Sequence, residues 1–219
     1  MFGEGVFLLA STSKEAFSDL LFKDGRPILE IRIEYPVAQG QVTENFERTF
    51  NIYYERDARL LNLSARTNIH RDALTRYTSS KKEGLPFNMY SVVQEFQTTF
   101  VSENYLSLCR RRQTYTGGAH GKTEMKSDVW SLSSARRLTL QEVAKERDSV
   151  KIAIKAVQKA IYDDGSGRFY PHAMQAAEKA FDPRNFYLTE KGIFVFYPTY
   201  TLAPHYAGIQ VFETGLTVK

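Results

Sequence analysis

The stretch Arg112-Gln113-Thr114-Tyr115-Thr116-Gly117-Gly118-Ala119-His120-Gly121 constrains the fold more than any other. It ends one strand-like run, Tyr105 to Tyr115, and starts another, His120 to Leu132. Gly117, Gly118 and Gly121 permit the left-handed backbone and close chain approach that a sharp corner needs. The stretch therefore reads as the corner of an antiparallel sheet. A third run, Met89 to Val101, precedes these two, with Tyr90, Val92, Phe96 and Phe100 mostly alternating and Ser102-Glu103-Asn104 as the turn. The three runs predict a meander.

The flanking segments supply further elements. Ala16 to Tyr35 reads as a hairpin around Asp24-Gly25, the residue pair that suits a two-residue turn. Leu29, Ile31, Ile33 and Tyr35 alternate with Glu30, Arg32 and Glu34, so one face is buried and one is wet, and Pro36 is expected to end the strand. Val42 to about Asn68 carries apolar residues at helical spacing, with Thr43 as its N-cap. Arg71 to Pro86 is polar, and Ser79 to Gly84 is expected to be a loop. Thr139-Leu140-Gln141-Glu142 is a capping box. Ser149 is expected to cap a helix whose Val150, Ile154, Val157 and Ile161 form one stripe, and Ala173 to Phe181 forms a shorter helix. Strands are expected at Asn185 to Thr189, Ile193 to Tyr197 and Ile209 to Glu213, with an aromatic, proline-bearing loop from Pro198 to Gly208. The class is α+β: antiparallel sheet, a long helix in the N-terminal half, and a helix pair in the C-terminal half packed on one face. Residues 1–88 and 89–219 read as two halves of one compact unit.

Charge and special residues exclude several functions. A net charge of +4 with dispersed basic residues is not the footprint of a nucleic-acid-binding protein. Arg110-Arg111-Arg112 lies in a strand and must alternate faces, so it is expected on a solvated face. Cys109 is alone and reads as a small buried hydrophobe. The acidic-glycine run from Asp163 to Gly167 lacks the ligand spacing of a calcium loop. His70, His120, His172 and His205 show no paired metal-ligand spacing, so neither metal nor cofactor is predicted. No stretch approaches the roughly 20 apolar residues of a membrane span. The apolar run Val6 to Ala10 is too short for a secretory signal. As given, the chain is expected in the cytoplasm, or at the envelope if targeting residues precede it in the gene product.

The order of strand, YTGGAHG corner, strand, TLQE cap, helix pair and NFYLTEKGIFVFYPTYTLAPHYAG resembles the extracellular domain of RsiV-type anti-sigma factors. It also resembles the module that accompanies PdaC-type peptidoglycan deacetylases outside their catalytic domain, and many stand-alone bacterial proteins. The resemblance extends upstream through ILEIRIEYPVAQGQVTENFERTF. It implies an antiparallel sheet with helices packed on it. It also implies a non-catalytic binding or sensor role, with a lysozyme-like protein or peptidoglycan as partner. The positive net charge is the wrong sign for steering toward a basic lysozyme.

The candidate ligand-binding residues are Tyr115, His120, Tyr200, His205 and Tyr206, from the two signature segments. Tyrosines offer large contact area with a polar tip at little entropic cost. Gly117, Gly118, Gly121 and Gly208 are the candidate turn formers. The competing readings are a purely structural role for both histidines, an enzyme acting on cell-wall sugars through His120 or His205, and a cytoplasmic protein that reuses the fold. There is no GxSxG elbow, phosphate loop or dinucleotide fingerprint, so no catalytic residue is assigned.

Overall fold

Asp24 and Gly25 turn the chain between its first two strands, β1 (Thr12–Lys23) and β2 (Arg26–Ala38). Both take positive φ, 50° and 74°, as a two-residue hairpin turn matched to strand twist requires. The computed structural model describes residues 12–39 and 43–219. The apolar run Val6 to Ala10 and the helix position Val42 lie outside these. In β2 the residues Leu29, Ile31 and Ile33 are fully buried, as their alternation predicts. Pro36 does not end the strand, which runs two residues further. The ladder from β2 to its second neighbour covers only Leu29 to Ile33, so at Pro36 the strand has one partner, a setting that tolerates proline.

Thr43 caps α1 (Glu44–Ser64), its hydroxyl accepting from the Phe46 N–H at 3.2 Å. A π turn, Ala65–Ile69, carries the helix into α2 (His70–Glu83). The expected loop at Ser79 to Gly84 is thus the last turn of a helix. Ala73, Tyr77 and Ser80 form a thin buried stripe at spacings of four and three, and this packing holds an otherwise polar sequence helical. Gly84 stops it in the left-handed conformation.

The helical run is a crossover. It places β3 (Tyr90–Val101) parallel to β2, Leu29 opposite Tyr90. The meander then follows as β4 (Tyr105–Tyr115), β5 (Lys122–Ser131) and the short β6 (Arg136–Arg137), all antiparallel. The result is one six-stranded sheet in sequence order, mixed because of the single parallel pair.

Residues of β4 and β5 face alternate sides. Leu106, Leu108 and Trp130 point to α1, where they meet Phe46, Phe50 and Tyr54. Ser107 and Val129 point the other way, toward a second, three-stranded sheet of β7 (Phe186–Thr189), β8 (Gly192–Tyr197) and β9 (Gln210–Glu213). There the Ser107 hydroxyl accepts from the Leu188 N–H at 3.0 Å. Three helices complete this side: α3 (Leu140–Val143), α4 (Ser149–Asp163) and α5 (Ala173–Lys179). Ala153, Val157, Ala173 and Ala177 of the last two share a core with Leu188, Ile193 and Val195. The capping box is present, with the Glu142 carboxylate accepting from the backbone N–H and the hydroxyl of Thr139. Ser149 is not the cap it was expected to be. It is the first helical residue, fully buried, and Asp148 precedes it.

Candidate functional site

The corner between β4 and β5 is built by close approach. Gly117 has φ of 80°, and a Cβ there would sit 3.1 Å from the Tyr90 ring. The Asn88 side chain donates to the Gly117 carbonyl at 3.1 Å. A Cβ on Gly121 would lie 3.1 Å from the Thr114 carbonyl oxygen. Gly118 has open space around it, and Gly208 ends a 3-10 turn, His205–Ala207.

Folding brings the two signature segments together. The His120 and His205 rings stack with centroids 4.0 Å apart and planes 23° from parallel. The Gly121 carbonyl can only accept, so His205 Nε2, at 3.2 Å, carries the proton between them. The Tyr200 ring lies 5.3 Å from that of His205. Tyr200 itself has φ of 66°, rare for a bulky residue. Tyr206 is adjacent on the 3-10 turn and 79% exposed. Tyr115 is half-buried at the end of β4 and makes no ring contact with the others among the described residues. Three of the five candidate residues, His120, His205 and Tyr200, therefore form one aromatic cluster; Tyr206 follows His205 in the chain without a ring contact to it among the described residues, and Tyr115 stands apart. Among the described residues, neither imidazole hydrogen-bonds a carboxylate.

A second constellation escaped the sequence. Arg110 was expected on a solvated face and is instead 3% exposed. It continues the face of Leu106 and Leu108 and so points beneath α1. Its guanidinium donates to Asp57 at 2.6 Å and to Asp128 at 2.9 Å. Asp128 also accepts from the Tyr54 hydroxyl at 3.0 Å and from Arg137 at 3.0 Å. Trp130 Nε1–H donates to the Tyr54 oxygen at 2.8 Å, and Arg137 donates to the Tyr53 hydroxyl at 2.8 Å. The Arg137 guanidinium lies 4.3 Å from the Tyr53 ring centroid. Burial alone would loosen the Arg110 proton, but Asp128, Tyr54 and Asp57 outweigh it and hold the group more firmly charged. Burial, then Asp128, pushes the Tyr54 hydroxyl well above its ordinary value. The same causes push the Cys109 thiol, which faces the opposite side of β4, up to about 12. The available signal was register: Arg110 lies two and four residues from Leu108 and Leu106, and Asp128 two from Trp130. The other two arginines of the run differ. Arg111 is exposed, and Arg112 is half-buried, donating to Gln94 at 3.3 Å.

This network borders a cavity of about 480 Å³, lined on its other side by Asp182, Arg184, Asn185 and Phe186, where the chain enters β7. Residues 23–123 match the family model described as deacetylase PdaC, and residues 138–214 match that of a protein of unknown function, DUF3298. The chain thus joins a PdaC-type segment to a DUF3298-type segment, as a PdaC-accessory/DUF3298 domain. Its architecture is that of a crystallised DUF3298 family member from Bacteroides fragilis, with a TM-score of 0.68 at 15% identity over 93% of this chain and 89% of that one. A DUF3298 family protein from Pseudomonas aeruginosa matches with a TM-score of 0.60 at 14% identity, over 98% of this chain and 97% of its own. No curated protein matches the sequence. The histidine pair and the cavity lining both span the two matched segments, while Asp128, Trp130 and Arg137 of the ion network lie between them. The corner holding His120 lies in the PdaC segment and the loop holding His205 in the DUF3298 segment. Likewise Tyr53 and Arg110 fall in the first, and Thr139 and Asn185 in the second.

Proposed function

We propose that this protein is a non-catalytic recognition domain whose contact surface is the rim of His120, His205, Tyr200 and Tyr206, and that its ligand is a cell-envelope glycan of the peptidoglycan class. The stacked pair of imidazoles beside two exposed tyrosines carries this reading. Such rings give flat apolar faces with polar edges, the chemistry that pairs with a sugar's apolar face and its hydroxyls. The positive φ of Tyr200 stores backbone strain on the same loop, a feature more often retained for recognition than for folding. A net charge of +4 favours such a ligand over a basic lysozyme-like protein. The peptidoglycan class itself comes from the sequence resemblance.

Co-sedimentation with purified peptidoglycan sacculi tests the reading. The unmodified protein is expected in the pellet, and Tyr200→Ala with Tyr206→Ala in the supernatant at an unchanged melting temperature. A protein that stays in solution throughout refutes glycan recognition. Release of soluble sugar products from the sacculi refutes the non-catalytic assignment instead.

A further inference from the structure

We propose that the 480 Å³ cavity between the Arg110 network and residues 182–186 is a binding site for a small oxyanion, a carboxylate or a phosphate. Its size falls within the range of small-ligand sites. Its lining includes four cationic side chains, Arg110, Lys126, Arg137 and Arg184, against two carboxylates, Asp128 and Asp182, and Asp57 pairs with Arg110 from behind, which leaves one positive charge over.

Both carboxylates are already spent. One Asp128 oxygen accepts from Arg137, and the other from Arg110 and Tyr54. Both Asp182 oxygens accept from Arg184, at 3.0 Å and 2.8 Å. The donors are not all spent. Lys126 forms no ion pair among the described residues, although its charge is felt at Glu124. Arg110 is 3% exposed and held by Asp57 and Asp128, so it contributes field rather than a free donor. Arg137 donates through one terminal nitrogen only.

An anion meets the charge left over on Lys126 and the terminal nitrogen that Arg137 leaves unused. Guanidinium groups match the geometry of carboxylate and phosphate oxygens, and Lys126 adds a point charge. A cation would face the surplus of positive charge, and a neutral ligand would leave Lys126 without a counter-charge. The site is independent of the aromatic rim. Because its walls come from both matched segments, an occupant would tie them together.

Calorimetric titration of the full chain with inorganic phosphate, and separately with acetate, at constant ionic strength tests this. Saturable one-site binding of either anion is expected, weakened about tenfold or more in Lys126→Ala. Lys126 is exposed and unpaired, so the variant should fold with an unchanged melting temperature. Arg111→Ala removes the same charge from the opposite face of β4 and should bind as the unmodified protein does. The anion that binds more tightly identifies the natural chemistry. Absence of saturable binding for both anions, or equal weakening in the two variants, overturns the proposal.

Discussion

Replacing Arg110 by methionine tests whether the buried ion network holds the large sheet to α1. Methionine keeps most of the side-chain volume, so the cost is electrostatic rather than a void. The loss strands two carboxylates unequally. Asp57 is 26% exposed in its side chain and can turn to water. Asp128 is 6% exposed and keeps only Arg137 and the Tyr54 hydroxyl. Removing one partner of a buried pair costs about 3–5 kcal/mol, and the remaining Arg137 places this case near about 3 kcal/mol. For a chain of this size that corresponds to a melting-temperature drop of roughly 6–12 °C. Urea unfolding followed by fluorescence of the single tryptophan, Trp130, reads it directly, since Trp130 donates to the Tyr54 hydroxyl. The denaturant slope should not change. Asp128→Asn alone should also destabilise, while the double variant should lose less than the two single losses added, by about 1 kcal/mol or more. A single-variant loss below about 1 kcal/mol, or strict additivity, would refute the reasoning.

Two further outcomes follow from the titrating groups. Cys109, held near 12 by burial and Asp128, should react with a thiol reagent at pH 8 on the order of a thousandfold more slowly than in urea; rapid labelling of the folded protein would contradict this. The Glu142 carboxyl is held down to about 2 by the Thr139 backbone N–H, then by Arg136 and the Thr139 hydroxyl. Its contribution is therefore present above the ordinary carboxylate range and lost as pH falls from about 4.3 through about 2. With the side chain 39% exposed, screening leaves roughly 1 kcal/mol. Glu142→Gln should cost that much at pH 6 and progressively less toward pH 2, and a gap of constant size across that range would contradict it.

Local chemistry was legible in the sequence and long-range placement was not. Asp24-Gly25, Thr43 and the Thr139–Glu142 box act through neighbours a few residues away, so each appears where its residue type places it. The α2 helix was missed because its packing stripe, Ala73, Tyr77 and Ser80, includes a serine and is thin within a polar run. The parallel pairing of β2 with β3 has no local signature. The histidines were legible as members of two segments, but their stacking depends on how the DUF3298 loop folds back over the corner. The Arg110 network was hidden because a run of three arginines reads as surface. Only the register of one strand, together with an aspartate eighteen residues later, shows that the first of them is buried.

The parallel pair also bears on the order in which the chain assembles. The β1–β2 hairpin and the β3–β4–β5 meander each close through short turns and need no distant partner. Their union at Leu29 and Tyr90 must wait until the whole helical crossover has formed and laid its stripe across both. Closing so long a loop carries an entropic toll that local hairpins escape. Within the large sheet, the seam between β2 and β3 is therefore the pairing with the greatest entropic cost of closure. Until it closes, the inner edge of each half presents unpaired backbone groups through which two copies could exchange hairpins.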